Sequence, residues 1–253
     1  MDNMIDVRGK WALITGASRG VGYRTAVFMA QQGCNLILHS RSLAHTLKVE
    51  EEARALGVEA YSVQAELANH GEVAAMLDEI EAKGTPVDIV FNNAAVQIAY
   101  RKDYWQTPVE DFELSFRINF IAAATICNRL IPPMLGRGFG RVVNTTSGIR
   151  NEPEQAGYAA SKAALDKFTK DLGSRLEGTG VVMSITDPGW CRTDLGGPQA
   201  PNEVESVIPG IAVGAFIGDG PSGRFLPAQH FAGMALEEAV AEAERIEPRP
   251  YVI

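Results

Sequence analysis

Apolar and polar residues are arranged along the chain in two alternating kinds of segment. Short continuous apolar runs, typical of strands buried on both faces of a sheet, alternate with longer amphipathic runs that are typical of helices. The predicted strands are Trp11–Ile14, Asn35–His39, Val58–Val63, Val87–Phe91, Arg141–Asn144 and Val181–Thr186. The predicted helices are the stretch that ends at Gly33, then Leu43–Leu56, Glu72–Lys83 and Gly157–Leu176, while Val109–Leu135 is long enough for two helices or one bent helix.

This alternation predicts an α/β fold in which helices cover both faces of a doubly wound parallel sheet. No linker rich in Pro, Gly or Ser and no run of charges divides residues 5–190, so we expect a single domain over residues 1–253. After Asp187 prolines interrupt the pattern, and we expect further helical segments at Glu203–Phe216 and Met234–Ile246.

The composition narrows the range of partners. Of 253 residues, 23 are Lys or Arg and 31 are Asp or Glu, which gives a formal net charge of −8. An acidic chain of this kind predicts binding to neither nucleic acid nor an anionic membrane surface. No uncharged apolar run approaches the ~18 residues of a membrane helix, and the first residues lack the apolar core of a signal peptide, so we expect a cytoplasmic protein.

The cysteines and histidines predict neither a disulfide framework nor a metal site. The three cysteines, Cys34, Cys127 and Cys191, form no CxxC pair. The four histidines show no spacing that is typical of metal ligands.

A glycine-rich turn, Thr15–Gly22, follows the first predicted strand and opens a helix. Gly16 allows a sharp turn, while Gly20 and Gly22 let the backbone approach a pyrophosphate and let the helix pack on the strand. The amide groups at the start of that helix would face the anion. Plain strand-to-helix connections also contain such turns, but the place of this one in the first βαβ unit favours a dinucleotide site.

The end of the second predicted strand indicates which dinucleotide is preferred. NAD enzymes usually carry Asp or Glu there for the ribose 2′-hydroxyl, whereas this chain reads His39-Ser40-Arg41. Arg41, joined by Arg19 from the glycine-rich turn, could bind a 2′-phosphate. We therefore expect NADP(H) to be preferred over NAD(H), although two solvated surface arginines are the simpler alternative.

A second motif, Tyr158-Ala-Ala-Ser-Lys162, lies in the last long helix before the sixth strand. A spacing of four places the two functional side chains on one helix face, about 6 Å apart along the axis. A nearby ammonium lowers the pKa of a phenol, which makes Tyr158 a candidate general acid for a carbonyl oxygen. A Tyr and a Lys at this spacing also occur by chance, so the order of the motifs along the chain decides the assignment.

Over residues 5–195 the sequence resembles the short-chain dehydrogenase/reductase family, in its single-domain branch. The matching motifs, in the family's order, are Thr15–Gly22, Asn92-Asn-Ala-Ala95, Asn119, Ser147, Tyr158-Ala-Ala-Ser-Lys162 and Pro188-Gly-Trp-Cys-Arg-Thr193. The resemblance implies a Rossmann fold and hydride transfer between a nicotinamide cofactor and a carbonyl or alcohol.

The resemblance also implies a catalytic set of Asn119, Ser147, Tyr158 and Lys162. Tyr158 would exchange a proton with the substrate oxygen, and Ser147 would donate a hydrogen bond to it. Lys162 would tune Tyr158 and hold the nicotinamide ribose, while Asn119 would hold a water that links Lys162 to solvent. Without the resemblance, Ser147 would be an ordinary strand-end serine and Asn119 a buried residue satisfying backbone at a helix bend.

The cofactor contacts implied by the resemblance come from each strand end. Asn92 and the backbone after it would support the glycine-rich turn, Thr193 would bind the carboxamide or pyrophosphate, and Cys191 would be a small apolar filler rather than a nucleophile. The complete predicted set is Thr15, Gly16, Ser18, Arg19, Gly20, Val21, Gly22, Arg41, Glu66, Leu67, Asn92, Ala94, Tyr158, Lys162, Pro188, Gly189, Cys191 and Thr193.

The chain departs from the family pattern mainly after Thr193. The substrate loop at residues 194–202 is short, residues 219–226 resemble the last turn and strand of carbonyl reductases, and residues 227–253 form an atypical C-terminal tail. A short loop predicts an open site that admits bulky or conjugate-borne ketones. The candidate substrate residues are Val96, Gln97, Ile149, Arg150 and Trp190, with core packing for Trp190 and a solvated Arg150 as the alternatives.

Together these features predict an NADP(H)-dependent enzyme that reduces a ketone or aldehyde to an alcohol, or runs the reverse reaction, on a small-molecule substrate. A 3-oxoacyl-thioester reductase and a sugar or polyol dehydrogenase are alternatives, and an NADPH-binding sensor is the alternative outside enzymes. By analogy with the family we expect a homodimer or homotetramer formed through Val109–Leu135 and Gly157–Leu176.

Overall fold

The computed structural model describes residues 4–218 and 220–248. Its strands are β1 Trp11–Thr15, β2 Asn35–Ser40, β3 Ala60–Gln64, β4 Val87–Asn92, β5 Gly140–Thr145, β6 Val181–Asp187 and β7 Arg224–Pro227. They form one parallel sheet in the order β3-β2-β1-β4-β5-β6-β7. The predicted strands are therefore confirmed, with ends shifted by one or two residues.

The helices are α1 Gly20–Gln31, α2 Leu47–Ala55, α3 His70–Ala82, α4 Val109–Phe116, α5 Ala122–Arg137, α6 Ala156–Gly173 and α7 Leu236–Arg245. A π-helical turn, Arg117–Ile121, joins α4 to α5. Of the two possibilities for residues 109–135, two helices or one bent helix, the structure thus has two helices, joined by a turn that contains Asn119. The stretch predicted as a helix from Leu43 begins with a separate 3-10 turn, Leu43–His45.

Apolar side chains fill both faces of the sheet. Neighbouring β1 residues, Leu13 and Ile14, are buried in different clusters because successive strand side chains point to opposite faces. One cluster includes side chains of α1, α2, α7 and residues 207–217, whereas the other includes side chains of α3 and α5. This arrangement confirms the predicted doubly wound α/β fold.

The strand order reverses between β1 and β4, since β2 and β3 lie on one side of β1 and β5 to β7 lie beyond β4. The connections on the two sides diverge at this point and leave a crevice at the carboxyl ends of the strands. Polar residues at the ends of β1, β2, β4, β5 and β6 therefore meet around one opening.

The segment Glu203–Phe216 does not form the predicted helix. It contains two short 3-10 turns, Val204–Val207 and Val213–Ala215. Pro209 lacks the N–H that a helix interior requires. Gly210 also lies against the backbone of Ala228, where a Cβ would fall 2.3 Å from the carbonyl oxygen. The apolar residues of the segment are buried as an irregular layer over the sheet.

The C-terminal region is part of this core as far as it is described. β7 confirms the predicted last strand, and α7 confirms the predicted helical stretch, with Ala239, Val240 and Ala243 buried. Arg224 donates from Nε to the carbonyl oxygen of Ile246 at 2.9 Å and so ties the end of this region to β7. Asp219 and residues 249–253 of the predicted tail lie outside the described residues.

The helical stretch Val109–Arg137 is long and apolar enough, by length and composition, to cross a membrane. In the fold it packs against α3, α6 and the sheet, and Pro132 and Pro133 lie inside α5. These contacts are those of a core helix in a doubly wound fold.

Candidate active site

A cleft of about 540 Å³ opens at the reversal of the strand order. Most of the predicted cofactor residues line it, namely Gly16, Ser18, Arg19, Gly20, Val21, Gly22, Arg41, Glu66, Leu67, Ala94, Tyr158, Lys162, Pro188 and Thr193. The predicted substrate residues Val96 and Gln97 also line it. The structure therefore brings together residues from both halves of the sheet.

The glycine-rich turn leaves no room for side chains where it meets the rest of the fold. A Cβ on Gly22 would lie 2.2 Å from the carbonyl oxygen of Gly16, and Gly16 itself has a φ of +67°. Because α1 begins at Gly20, the free amide groups of its first turn face the cleft. The backbone thus forms a cradle suited to an anion such as a pyrophosphate.

Thr15 joins the glycine-rich turn to the end of β4. Its Oγ1 accepts hydrogen bonds from the N–H groups of Asn93 and Ala94, both at 3.0 Å, and donates to the carbonyl oxygen of Phe91 at 3.2 Å. The side chain of Asn93 donates from Nδ2 to the Thr15 carbonyl oxygen at 3.0 Å. Thr15 therefore positions the turn from beneath instead of lining the cleft.

The prediction for Asn92 is corrected in one respect. Its buried side chain donates from Nδ2 to Oδ1 of Asn144 at 2.8 Å, which links β4 to β5 below the cleft. The backbone after it does support the turn, as predicted, but the side chain that does so belongs to Asn93. Strand alternation explains the difference, because neighbouring side chains point to opposite sides.

Two histidines that the sequence motifs did not single out, His39 and His45, also line the cleft. Nδ1 of His39 accepts a hydrogen bond from the Gly16 N–H at 3.3 Å, and its Nε2 lies 3.1 Å from the carbonyl oxygen of Ala65. Burial lowers the pKa of His39, which favours the neutral ring that these two contacts require. A lone histidine at a strand end gives no sequence signal for this role.

The two arginines assigned to a 2′-phosphate both reach the cleft but differ in their contacts. Arg41 follows β2 with an exposed side chain, and no ion-pair partner for it occurs among the described residues. Arg19 pairs with Asp194 of the short loop, with NH1 at 2.8 Å from Oδ2. Asp194 was not predicted as a cleft residue, and its carboxylate competes for the same cation that a phosphate would need.

Tyr158 lies in the first turns of α6 with its side chain facing the cleft. Burial raises the pKa of Tyr158, the Asp187 carboxylate raises it further, and a hydrogen bond with the Ser147 side chain lowers it. Nζ of Lys162 lies 5.9 Å from the centre of the Tyr158 ring. Lys162 is not among the groups that shift the pKa of Tyr158, so the predicted lowering by the ammonium is not found; burial is the largest cause, and the phenol keeps its proton at neutral pH.

Lys162 is fully buried, and Nζ donates to the Thr145 carbonyl oxygen at 2.8 Å. Burial lowers the pKa of Lys162 to about 8, while the carboxylates of Asp166 and Asp187 oppose this effect. The ammonium therefore persists at neutral pH, close to the pH at which it is lost. Ser147, two residues after the end of β5, accepts from the Ile149 N–H at 3.3 Å.

Asn119 lies buried in the π-helical turn between α4 and α5. Its Oδ1 accepts from the Val96 N–H at 2.8 Å, and Nδ2 donates to the Val96 carbonyl oxygen at 2.9 Å and to Oγ of Ser161 at 3.0 Å. The side chain thus ties the β4 loop to α6, next to Lys162. Its predicted role as the holder of a water molecule stays a prediction.

The turn after β6 is compact. Gly189 has a φ of +72°, and Sγ of Cys191 lies 3.2 Å from the Pro188 carbonyl oxygen. Burial raises the pKa of Cys191, so the thiol keeps its proton, as expected of a filler. Oγ1 of Thr193 accepts from the Gly196 N–H at 3.0 Å. Thr193 lines the cleft, whereas Gly189 and Cys191 are not among the residues that line it.

Three of the predicted substrate residues do not line the cleft that the structure describes. Trp190 is 58% exposed and donates from Nε1 to the Gly196 carbonyl oxygen at 2.7 Å, so it forms neither a pocket wall nor core. Arg150 is exposed and Ile149 is half-buried, both in the loop after β5. Leu195, which was not predicted, lines the cleft instead.

These residues fit a nicotinamide dinucleotide. The glycine cradle cannot hold a Cβ at Gly22, the N-terminus of α1 faces it, and Arg19 of the turn and Arg41 after β2 both line the cleft. Tyr158 and Lys162 lie at the other end of the same cleft. The His, Cys, Asp and Glu residues of the described chain form no group that could hold a metal ion.

Comparison with known proteins agrees with this geometry. A family profile described as short chain dehydrogenase matches residues 10–204. Ketoacyl reductase HetN from Nostoc sp. (strain PCC 7120 / SAG 25.82 / UTEX 2576) is 30% identical over 189 residues, which make up 74% of this chain and 65% of that protein. The match thus spans slightly less than two thirds of HetN.

Two further proteins are similar over more of their length. The 3-oxoacyl-(acyl-carrier-protein) reductase FabG from Staphylococcus aureus (strain Mu50 / ATCC 700699) is 30% identical over 215 residues, which make up 82% of this chain and 85% of FabG. The crystal structure of a 3-oxoacyl (acyl-carrier-protein) reductase from Agrobacterium tumefaciens C58 with NADP bound has a TM-score of 0.72 and 27% identity, covering 91% of this chain and 87% of that chain. This chain therefore belongs to the short-chain dehydrogenase/reductase family and is an oxidoreductase with a Rossmann-type fold.

Proposed function

We propose that this protein reduces a ketone or aldehyde to an alcohol with NADPH, and that the reaction takes place at Tyr158. The observation that carries the proposal is that Tyr158 and Lys162 line the same cleft as the glycine cradle, with the Ser147 side chain beside Tyr158. We assign residues 1–253 to one catalytic domain.

The cradle, Thr193 and the β4 loop would hold the cofactor, which supplies the hydride when it is bound. Arg41, with Arg19, supports a preference for NADP(H) over NAD(H), because β2 ends without the carboxylate that a ribose 2′-hydroxyl would need. The relative from Agrobacterium tumefaciens was crystallised with NADP. Lys162 would bind the ribose hydroxyl groups beside Tyr158.

Tyr158 acts as the general acid in this proposal. Its raised pKa means that the phenol carries a proton at neutral pH, ready to donate it to a carbonyl oxygen that gains charge. The Ser147 hydroxyl would donate a hydrogen bond to the same oxygen. The Lys162 ammonium would stabilise the tyrosinate that remains, and Asn119 would hold the β4 loop and α6 in register.

The substrate would enter over the short loop 194–202, beside Val96, Gln97 and Leu195. Such an opening suits bulky or conjugate-borne ketones. A 3-oxoacyl thioester is the second candidate, since HetN is a ketoacyl reductase by name and FabG a 3-oxoacyl-(acyl-carrier-protein) reductase. A sugar or polyol substrate has no comparable support from the residues of the cleft.

The test is NADPH oxidation with a graded panel of ketones, aldehydes, 3-oxoacyl thioesters and ketosugars, using the wild type and Tyr158→Phe. We expect turnover by the wild type and at least about a hundredfold loss in Tyr158→Phe, with NADPH affinity retained. Binding of NADPH without turnover of any carbonyl by the wild type would favour a sensor. Turnover of only the smallest ketones would contradict the open site.

We also propose that the protein forms a homodimer or homotetramer and works in the cytoplasm. A groove on α4 and the π-helical turn is lined by Phe112, Phe116 and Ile121 together with charged groups, which suits a helix of a second copy. Light scattering after size-exclusion chromatography measures the assembly directly.

The cysteines support the proposed compartment. Cys34, Cys127 and Cys191 are buried free thiols, in keeping with a reducing compartment.

A further inference from the structure

One face of α6 carries an ionisable or charged side chain at every fourth position, namely Tyr158, Lys162, Asp166 and Lys170. Side chains four residues apart on a helix are neighbours. Oδ1 of Asp166 is buried, and no protein donor for it occurs among the described residues. A buried carboxylate oxygen without a donor is costly, so its position one helical turn from Lys162, with no direct ion pair between the two among the described residues, calls for a physical account.

Groups from two strand ends complete the surroundings of Lys162 and Asp166. From the end of β5, the Thr145 carbonyl accepts from Lys162, and the Thr146 hydroxyl, which has no hydrogen-bond partner among the described residues, lies near Asp166. From the end of β6 comes Asp187, whose Oδ1 accepts from the Gly189 N–H at 2.9 Å. Asp187 thus accepts a hydrogen bond from the turn after β6, whereas Oδ1 of Asp166 has no donor among the described residues.

The charges in this cluster influence one another. Burial raises the pKa of Asp166 to about 6 and Asp187 raises it further, while Thr146, Lys170 and Lys162 lower it. Burial lowers the pKa of Lys162 to about 8, against the pull of Asp166 and Asp187. Between these two values the carboxylate and the ammonium are both charged, so each stabilises the ionised form of the other.

We propose that Asp166 is a positioning residue that holds Lys162 in its ammonium form while Tyr158 transfers its proton. The proposal rests on the proposed function, in which Lys162 must be charged to stabilise the tyrosinate. Without the carboxylate, the buried amine would lose its proton at a lower pH and Tyr158 would lose its counter-charge. Asp166 acts through Lys162 and needs no contact with substrate or cofactor.

The first experiment measures kcat for carbonyl reduction between pH 5 and pH 10 (roughly the range that brackets the Lys and Asp titrations) in three variants. In Asp166→Asn, which keeps the shape and removes the charge, we expect the alkaline loss of activity to move down by about one pH unit. Asp166→Glu should restore the wild-type profile. Asp171→Asn is the matched control, since Asp171 is exposed on the same helix and paired with Lys167.

A profile of Asp166→Asn that coincides with those of the wild type and Asp171→Asn would overturn the proposal. So would a loss of rate that is equal at every pH and is not restored in Asp166→Glu, because that pattern indicates a purely structural role. The alkaline limb separates these cases, since a change in packing alone has no reason to move it.

A second experiment needs no turnover and therefore separates this proposal from the proposed function. The free energy of unfolding is measured in urea over the same pH range for the wild type, Asp166→Asn, Lys162→Met and the double variant. We expect the two substitutions to be non-additive between about pH 6 and pH 8, where both groups are charged, and additive on either side. Additivity at every pH would overturn the proposal even if the enzyme is active. Non-additivity in an inactive protein would uphold the coupling and reject the proposed reaction instead.

Discussion

Nδ1 of the His39 imidazole accepts a hydrogen bond from the backbone N–H of Gly16 at 3.3 Å. A side chain at the end of β2 therefore holds the first glycine of the glycine cradle. On its other side Nε2 lies 3.1 Å from the Ala65 carbonyl oxygen and must donate to it. Only the neutral ring with its proton on Nε2 makes both bonds. Protonation at Nδ1 would set two donors, the ring and the Gly16 N–H, against each other.

The first prediction is that acid weakens the fold through His39. Burial lowers its pKa from the ordinary value near 6.5, so the unfolded chain takes up the proton first as the pH falls. The stabilisation is complete above about pH 6.5 and is lost as the pH falls towards the lower folded pKa. In urea titrations, the stability difference between the wild type and His39→Asn should therefore shrink on acidification.

The control for this prediction is His70→Asn, at an exposed position at the start of α3. Its stability should follow the wild type through the same pH range. A difference between the wild type and His39→Asn that stays constant from pH 8 to pH 5 (roughly the span of histidine titration) would show that His39 does not titrate in this way.

The second prediction concerns the choice of cofactor. Arg41→Ala removes an exposed guanidinium that lines the cleft just after β2. We expect at least about a tenfold loss of NADPH affinity and less than about a threefold loss of NADH affinity, because only NADPH carries the 2′-phosphate. Binding is measured by the fluorescence of the reduced cofactors. Lys48→Ala, which removes an exposed cation on α2, is the control for a general loss of positive charge. If Arg41→Ala lowered the affinities for NADPH and NADH equally, Arg41 would not bind the 2′-phosphate.

The parts of the fold that were predicted correctly are those fixed by local patterns. Strands such as Val87–Asn92 and Val181–Asp187 are buried on both faces, so their apolar runs stand out against polar turns. The prediction of a helix at Glu203–Phe216 was wrong, because the apolar residues of this segment pack against a surface formed by the sheet and do not follow a helical repeat. Pro209 was the local signal against a helix there.

The same difference between local sequence patterns and long-range contacts applies to the site. Residues whose backbone geometry is demanding, such as Gly22, or whose spacing is helical, such as Tyr158 and Lys162, were identified from the sequence and lie in the cleft. The sequence did not show that the Asn93 side chain, and not that of Asn92, holds Thr15. The partner of Arg19 was not predicted either, since contacts across the sheet leave no trace in local patterns.

The third prediction follows from the pair formed by Arg19 and Asp194 across the cleft mouth. Both side chains are largely exposed, so the pair contributes little to stability. Asp194→Asn frees Arg19 for the cofactor, and we expect NADPH affinity to rise by about twofold to fivefold with an unchanged melting temperature. The effect should fade at high salt. Glu203→Gln, which breaks the pair with Arg192 at the two ends of the loop that carries Asp194, is the control, and an equal gain there would point to loop mobility.

The last prediction is that the proposed catalytic lysine costs the protein stability. Burial lowers the pKa of Lys162 to about 8, so below that pH the fold holds a buried ammonium that water would solvate better. Lys162→Met should therefore raise the free energy of unfolding at pH 7 by about 2 kcal/mol, after allowance for the lost hydrogen bond to Thr145, while carbonyl reduction is abolished.

The pH dependence of this stability difference follows from proton uptake by the lysine. Between about pH 8 and pH 10.5 the unfolded chain keeps the lysine proton and the folded wild type does not, so the wild type gains stability and the difference narrows. Urea denaturation at pH 7 and pH 10 measures both values, which fall roughly on either side of the folded pKa. A variant that is less stable than the wild type at pH 7 would show that the hydrogen bond to Thr145 outweighs the cost of burying the charge.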